Sequence, residues 1–160
     1  MSFRDALPGD LAVVEQYLGR PLSGRCAVVV RRLDGRPVVI ENEPHLRDGT
    51  PMPTLFWLVD PELHDAVSRL EGSGGVHRFE ELVDEEALRT THEEYAERRR
   101  LATVRAEGAQ ASGGVGGTRV GVKCLHAHLA NFLVGASDPV GELVALEVDL
   151  PDLTLEDPRG

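Results

Sequence analysis

Cysteine is scarce: the 160-residue chain holds 2, Cys26 and Cys124, too few for a disulfide framework. Aromatic residues make up only 4%, and the single tryptophan, Trp57, lies in the apolar stretch LFWLV, where a core position is expected rather than a ligand platform. There is no run of about 18 apolar residues, so no membrane-spanning helix is expected. The opening residues, MSFRDALPGDLAVV, lack the basic start, apolar run and small-residue cleavage site of a secretory signal. These absences predict a cytoplasmic protein with free thiols and no membrane partner. Positive charge is also short: 17 Lys and Arg against 27 Asp and Glu leave a net charge of −10. A diffuse acidic surface repels a phosphate backbone, which argues against nucleic-acid binding.

What is present is enough for one packed domain. PGDLAVVEQYLG places Leu11, Val14, Tyr17 and Leu18 on one helical face, with Gly19 as the stop. CAVVV and PVVIE are β-branched runs joined by RRLDGR, whose Asp34-Gly35 pair predicts a hairpin turn, and LFWLV reads as a third strand. Asp60-Pro61 marks a helix start. A further helical stretch runs from about His77 to Arg100, with Phe79, Leu82, Val83, Ala87 and Tyr95 facing inward and Asp84 able to cap a restart. A last helix is expected from near Arg119, and ELVALEV as a late strand. The sum is an α+β fold, a small, mainly antiparallel sheet covered by four or five helices over residues 1–150, with 151–160 an acidic, flexible tail.

The chemistry concentrates in GGVGGTRVGVKCLHAH, Gly113 to His128. If the helix starts at Arg119, then Val122, Leu125, Leu129, Phe132 and Leu133 form a core-facing stripe. Arg119, Lys123 and His126 then line one flank at i, i+4, i+7, and Cys124, His128 and Asn131 the other. Glycines permit close backbone approach, and a helix start favours anions through its free N–H groups and dipole. Gly116, Gly117, Arg119, Lys123 and His126 are therefore the candidate ligand-binding residues, for a small phosphate-containing or otherwise anionic molecule. The segment is no Walker motif, since Gly-Lys-Ser/Thr is missing. A glycine linker leading to a solvated basic flank is the plainer alternative.

Cys124 and His128, four residues apart, would suit two zinc ligands or a thiol–imidazole dyad. Nothing in a recognised spacing completes a zinc set, so no metal ligand is assigned, and no signature of a cysteine hydrolase surrounds the pair. His126, Cys124 and His128 remain the candidate catalytic groups, without a definite reaction or cofactor. HLRDGTPMPT, with His45, Arg47, Asp48, Thr50 and Thr54, is expected to be a crossover that satisfies its own backbone. Arg69 and Glu71 are expected to be a solvated pair. The alternative to a ligand-binding role is a scaffold that contacts another protein or a second copy of itself.

DGTPMPTLFWLVDPELHDAVSRLE and GGVGGTRVGVKCLHAHLANFLVGASDPVGE together resemble the bacterial family called "domain of unknown function 501", from about Leu18 to Gly141. The resemblance implies a cytoplasmic bacterial setting and brings no activity with it. It does imply cysteines in relatives within the first hairpin turn, in a Cys-Pro-x-Gly-x-Pro-like pattern, and before the proline of the helix start. Here RRLDGRP and VDP carry Arg32, Leu33, Asp34 and Asp60 instead. If those cysteines bind metal in relatives, this chain has lost most of that ligand set.

Overall fold

Local capping chemistry sets most element boundaries. Helix α1 (Pro8–Leu18) opens with proline in its first turn and stops at Gly19, whose φ of +71° a side chain would resist. Strands β1 (Cys26–Arg32) and β2 (Pro37–Asn42) form the expected antiparallel hairpin, with Gly35 at φ +94° and Asp34 accepting the Arg36 N–H at 3.1 Å. Strand β3 (Phe56–Leu58) pairs antiparallel with β2. Asp60 caps α2 (Pro61–Gly72) by accepting the Leu63 N–H at 3.0 Å. Helix α3 (Gly75–Leu82) follows, and Asp84 restarts the chain as α4 (Glu85–Ala102). After a 3-10 turn at Val115–Gly117 come α5 (Leu125–Leu133) and α6 (Pro139–Glu147), and strand β4 (Leu153–Leu155) is last. This computed structural model describes residues 3–160.

The fold is α+β, a sheet in the order β3-β2-β1-β4 with every neighbouring pair antiparallel, and six helices among the described residues. Both faces of the hairpin are covered, which is why VVV and VVI read as continuous apolar runs rather than as alternation. On one face Val14 of α1 packs with Cys26, Val28 and Ile40. On the other, Val30, Val39 and Phe56 join Val67, Phe79, Leu125, Leu129 and Val144 in the main core. The stripe predicted for the last helix lies there, with Val122, Leu125 and Leu129 buried and Phe132 half-buried. No helix among the described residues is long and apolar enough to cross a membrane.

Several expectations fail for identifiable reasons. ELVALEV is the body of α6, because Asp138-Pro139 supplies the same helix start as Asp60-Pro61, with Asp138 accepting the Gly141 N–H at 2.9 Å. Residues 151–160 include β4, which pairs with β1 from Val30 to Arg32, and Arg159 binds Glu41 at 2.6 Å. Leu82 and Ala87 face solvent, since the break at Val83 resets the helical phase. Most consequential is α5, which begins at Leu125, six residues after Arg119.

Candidate functional site

The glycine-rich segment is an ordered turn tied to α4. The buried face of that helix carries Leu88, Thr91, His92, Tyr95 and Arg99. His92 Nδ1 accepts the Val115 N–H at 3.0 Å, and its Nε2–H donates to the Gly121 carbonyl at 2.8 Å. Burial, reinforced by the neighbouring His128, lowers the His92 pKa and keeps the ring neutral, as this two-sided bonding requires. About two turns further on, Arg99 donates to the carbonyls of Pro53 at 3.0 Å and Gly113 at 2.8 Å. A Cβ on Gly114 would lie 2.5 Å from the His92 side chain, so glycine is needed there for close approach.

Arg119 and Lys123 precede α5 instead of riding on it, and both are exposed. The predicted stripe with His126 does not exist. Gly116 and Gly117 lie in the 3-10 turn, where the Gly117 N–H is taken by the Gly114 carbonyl at 3.0 Å. The anion position at the helix start is filled from within: the Leu125 N–H donates to Glu71 at 2.8 Å. Glu80 likewise accepts the Val122 N–H at 2.7 Å. Glu71, expected in a solvated pair with Arg69, is half-buried and reaches across from α2.

His126 turns toward α2 as well. Its Nε2 lies 3.1 Å from the His64 carbonyl and 3.0 Å from the Ser68 hydroxyl, and its ring stacks on that of His64 with centroids 4.4 Å apart. Its Nδ1 faces Glu71 at 3.3 Å and the Cys124 sulfur at 3.9 Å. Burial works against a charged ring, but the Cys124 contact and the Glu71 carboxylate outweigh it and raise the His126 pKa. The thiol thus meets His126, two residues away, and the helical pairing with His128 fails because Cys124 is the N-cap, in extended conformation.

His128 has a different neighbour. Fully buried, its Nδ1 contacts Asp138 at 2.9 Å, and Asn131 donates to the same carboxylate at 3.0 Å. His128 Nε2 and Asn131 Oδ1 have no partner among the described residues. The pair couples α5 to the start of α6, and Gly141 lets them touch, since a Cβ there would lie 2.3 Å from the His128 carbonyl. The HLRDGTPMPT loop satisfies itself only in part, with Asp48 accepting the Thr50 N–H at 2.9 Å; the Pro53 and Thr54 carbonyls are taken by Arg99 and Asn42, and His45 reaches the Ala109 carbonyl at 2.9 Å.

Between α4 and residues 103–120 runs an open groove of about 910 Å³, with Arg89, Arg99, Arg100 and Arg119 in its walls beside Gly113 and Gly114. Arg89 is paired with Glu86 at 3.1 Å and Arg100 with Glu97 at 2.6 Å. Arg119 has no hydrogen-bonding or ionic partner among the described residues, and Arg99, only 4% exposed, bonds to carbonyls and to no carboxylate. Sequence reasoning missed Arg99, His92 and Glu71. The first two could have been found by extending the helical spacing of Leu88 and Tyr95, whereas nothing local marks Glu71.

The profile of the family described as "Protein of unknown function (DUF501)" matches residues 28–146, and the chain belongs to that family. No curated protein and no solved structure matches it. Arg32 and Asp60, which the resemblance sets where relatives carry cysteines, form a two-pronged ion pair here, with Nε–Oδ2 at 2.5 Å and Nη2–Oδ1 at 3.0 Å. The two positions are thus in direct contact across β1 and the start of α2.

Proposed function

We propose that the chain binds a small phosphorylated or otherwise anionic ligand in the groove between α4 and residues 103–120. The observation that carries this reading is Arg99, a buried guanidinium bonded to no carboxylate, in the wall of a groove that the unpaired Arg119 also lines. Burial lowers the Arg99 pKa, the mark of a cation held at a cost that an adjacent anion would offset. The groove falls within the roughly 300–1,000 Å³ of small-molecule sites. Compared with the sequence-based expectation, the ligand moves away from the start of α5, where Glu71 already meets the Leu125 N–H. Gly113 and Gly114 replace Gly116 and Gly117 as the glycines that bring backbone to the site, and His126 is no part of it.

Calorimetric titration with inorganic phosphate, short polyphosphate and nucleoside monophosphates tests the proposal. One of these is expected to bind, and Arg119→Ala to weaken it at least about tenfold through loss of a charge-assisted contact. Because Arg119 is exposed, the variant's unfolding midpoint is expected to be unchanged. If none of the anions binds, or the variant binds as tightly, the groove is no anion site and a scaffold role takes its place.

A further inference from the structure

The geometry points to a divalent zinc-type metal site at Glu71, Cys124 and His126, facing α2 and separate from the arginine groove. One carboxylate oxygen, Nδ1 of His126 and the Cys124 sulfur all lie within 4.8 Å of one another, and all three residues are half-buried. A tetrahedral zinc with bonds of about 2.0–2.3 Å sets its ligand atoms about 3.3–3.6 Å apart. The separations from His126 Nδ1 are 3.3 Å to Glu71 and 3.9 Å to the sulfur, within a few tenths of an ångström of that geometry, and the Glu71 oxygen and the sulfur lie within 4.8 Å of each other.

The surroundings hold the ligands in the orientation a metal needs. The His64 carbonyl can only accept, so it fixes the His126 proton on Nε2 and leaves the Nδ1 lone pair aimed into the cluster. Metal-bound histidines are oriented in this way by an acceptor on their other nitrogen. Glu71 is held by the Leu125 N–H through one oxygen, Oε2, while the other, Oε1, faces His126. Cys124 is fixed as the N-cap of α5, so the same backbone that starts the helix places the sulfur. A thiolate, an imidazole and a carboxylate suit zinc and its borderline-soft neighbours, not magnesium or calcium. On binding, the Cys124 proton is released to solvent. Three protein ligands leave the fourth position open, the pattern of catalytic rather than structural zinc. The sequence alone concealed this set because its helical spacing pairs Cys124 with His128 and because Glu71 is supplied by another helix.

The test strips the full chain with chelator and titrates it with Zn²⁺ against a chromogenic competitor, then with Co²⁺ under an absorption spectrometer. One equivalent is expected, with a thiolate-to-cobalt charge-transfer band that Cys124→Ser abolishes. Glu71→Gln keeps an oxygen for the Leu125 N–H, so it is expected to fold, to retain the band and to bind at least about tenfold more weakly. His77→Ala, an exposed histidine elsewhere on α3, is expected to change nothing. Failure to reach one equivalent, a cobalt spectrum without the thiolate band, or unchanged affinity in Glu71→Gln would each overturn the assignment. The Glu71 variant keeps the test decisive even if Cys124→Ser does not fold.

Discussion

Tyr95→Phe removes one oxygen from the core and little volume. That oxygen accepts the Leu55 N–H at 2.7 Å and the Phe56 N–H at 3.2 Å, so the phenol of α4 caps the start of β3. Tyr95 is 2% exposed, and no water can replace it without repacking. A buried donor left unpaired costs about 1–3 kcal/mol, and here one strong and one weaker bond are lost together. The expected destabilisation is about 2–3 kcal/mol near neutral pH, a fall of about 5–10 °C in midpoint for a domain of this size. Urea denaturation at several pH values reads it. Burial raises the Tyr95 pKa to about 12, from an ordinary value of 10.0. A group whose folded pKa is raised contributes stability that is complete below its unfolded pKa and lost as pH rises through the folded one. The wild type should therefore lose about 2–3 kcal/mol between about pH 10 and 12, and the gap to Tyr95→Phe should close over that range. Cys26, raised to about 11 chiefly by burial, titrates in both proteins and cancels in the comparison. A gap below about 0.5 kcal/mol at neutral pH, or one that stays constant into alkali, would refute the capping argument.

Asp60→Asn preserves the helix cap but deletes the charge facing Arg32. Burial pushes the Asp60 pKa up, yet the Arg32 and Leu63 hydrogen bonds and the Arg32 charge outweigh it and the net shift is downward. A lowered carboxylate stabilises above its unfolded pKa and loses that contribution in acid, so a cost of about 2 kcal/mol at neutral pH should fade as pH falls below the ordinary carboxylate value of 3.8 in parallel urea titrations. Gly114→Ala places a methyl 2.5 Å from His92 and should cost about 1–3 kcal/mol. It should also speed amide exchange at Val115, whose N–H His92 holds; unchanged exchange would mean that the turn is not held by this contact.

Elements defined by their own residues were readable before any coordinates. The Asp34-Gly35 hairpin, the Asp60-Pro61 start and the Asp84 restart each depend on contacts within a few residues. Asp138-Pro139 carried the same signal, and the strand-like apolar run after it obscured the point. The start of α5 was not readable. Its delay to Leu125 follows from Gly121 at φ +69° and from the capture of Val122 and Leu125 by Glu80 and Glu71, 42 and 54 residues away. That shift of six residues undid both predicted flanks while the core-facing stripe survived, because Arg119, Lys123 and Cys124 lie outside the helix. The partners of the Gly113 to His128 segment come from α2 and α4 through contacts that no local pattern encodes.

The polar side chains on the buried face of α4 grip main chain: Thr91 the Ser137 carbonyl, His92 the Val115 N–H and Gly121 carbonyl, Tyr95 the Leu55 and Phe56 N–H groups, Arg99 the Pro53 and Gly113 carbonyls. A main-chain grip leaves the residue type free where the held residue is exposed, as at Pro53 and Ser137, whereas Val115, Leu55 and Phe56 are also core side chains and Gly113 and Gly121 sit at positive φ. The backbone wall of the groove is thus positioned from one helix, and an exposed rim side chain such as Arg119 takes no part in holding it.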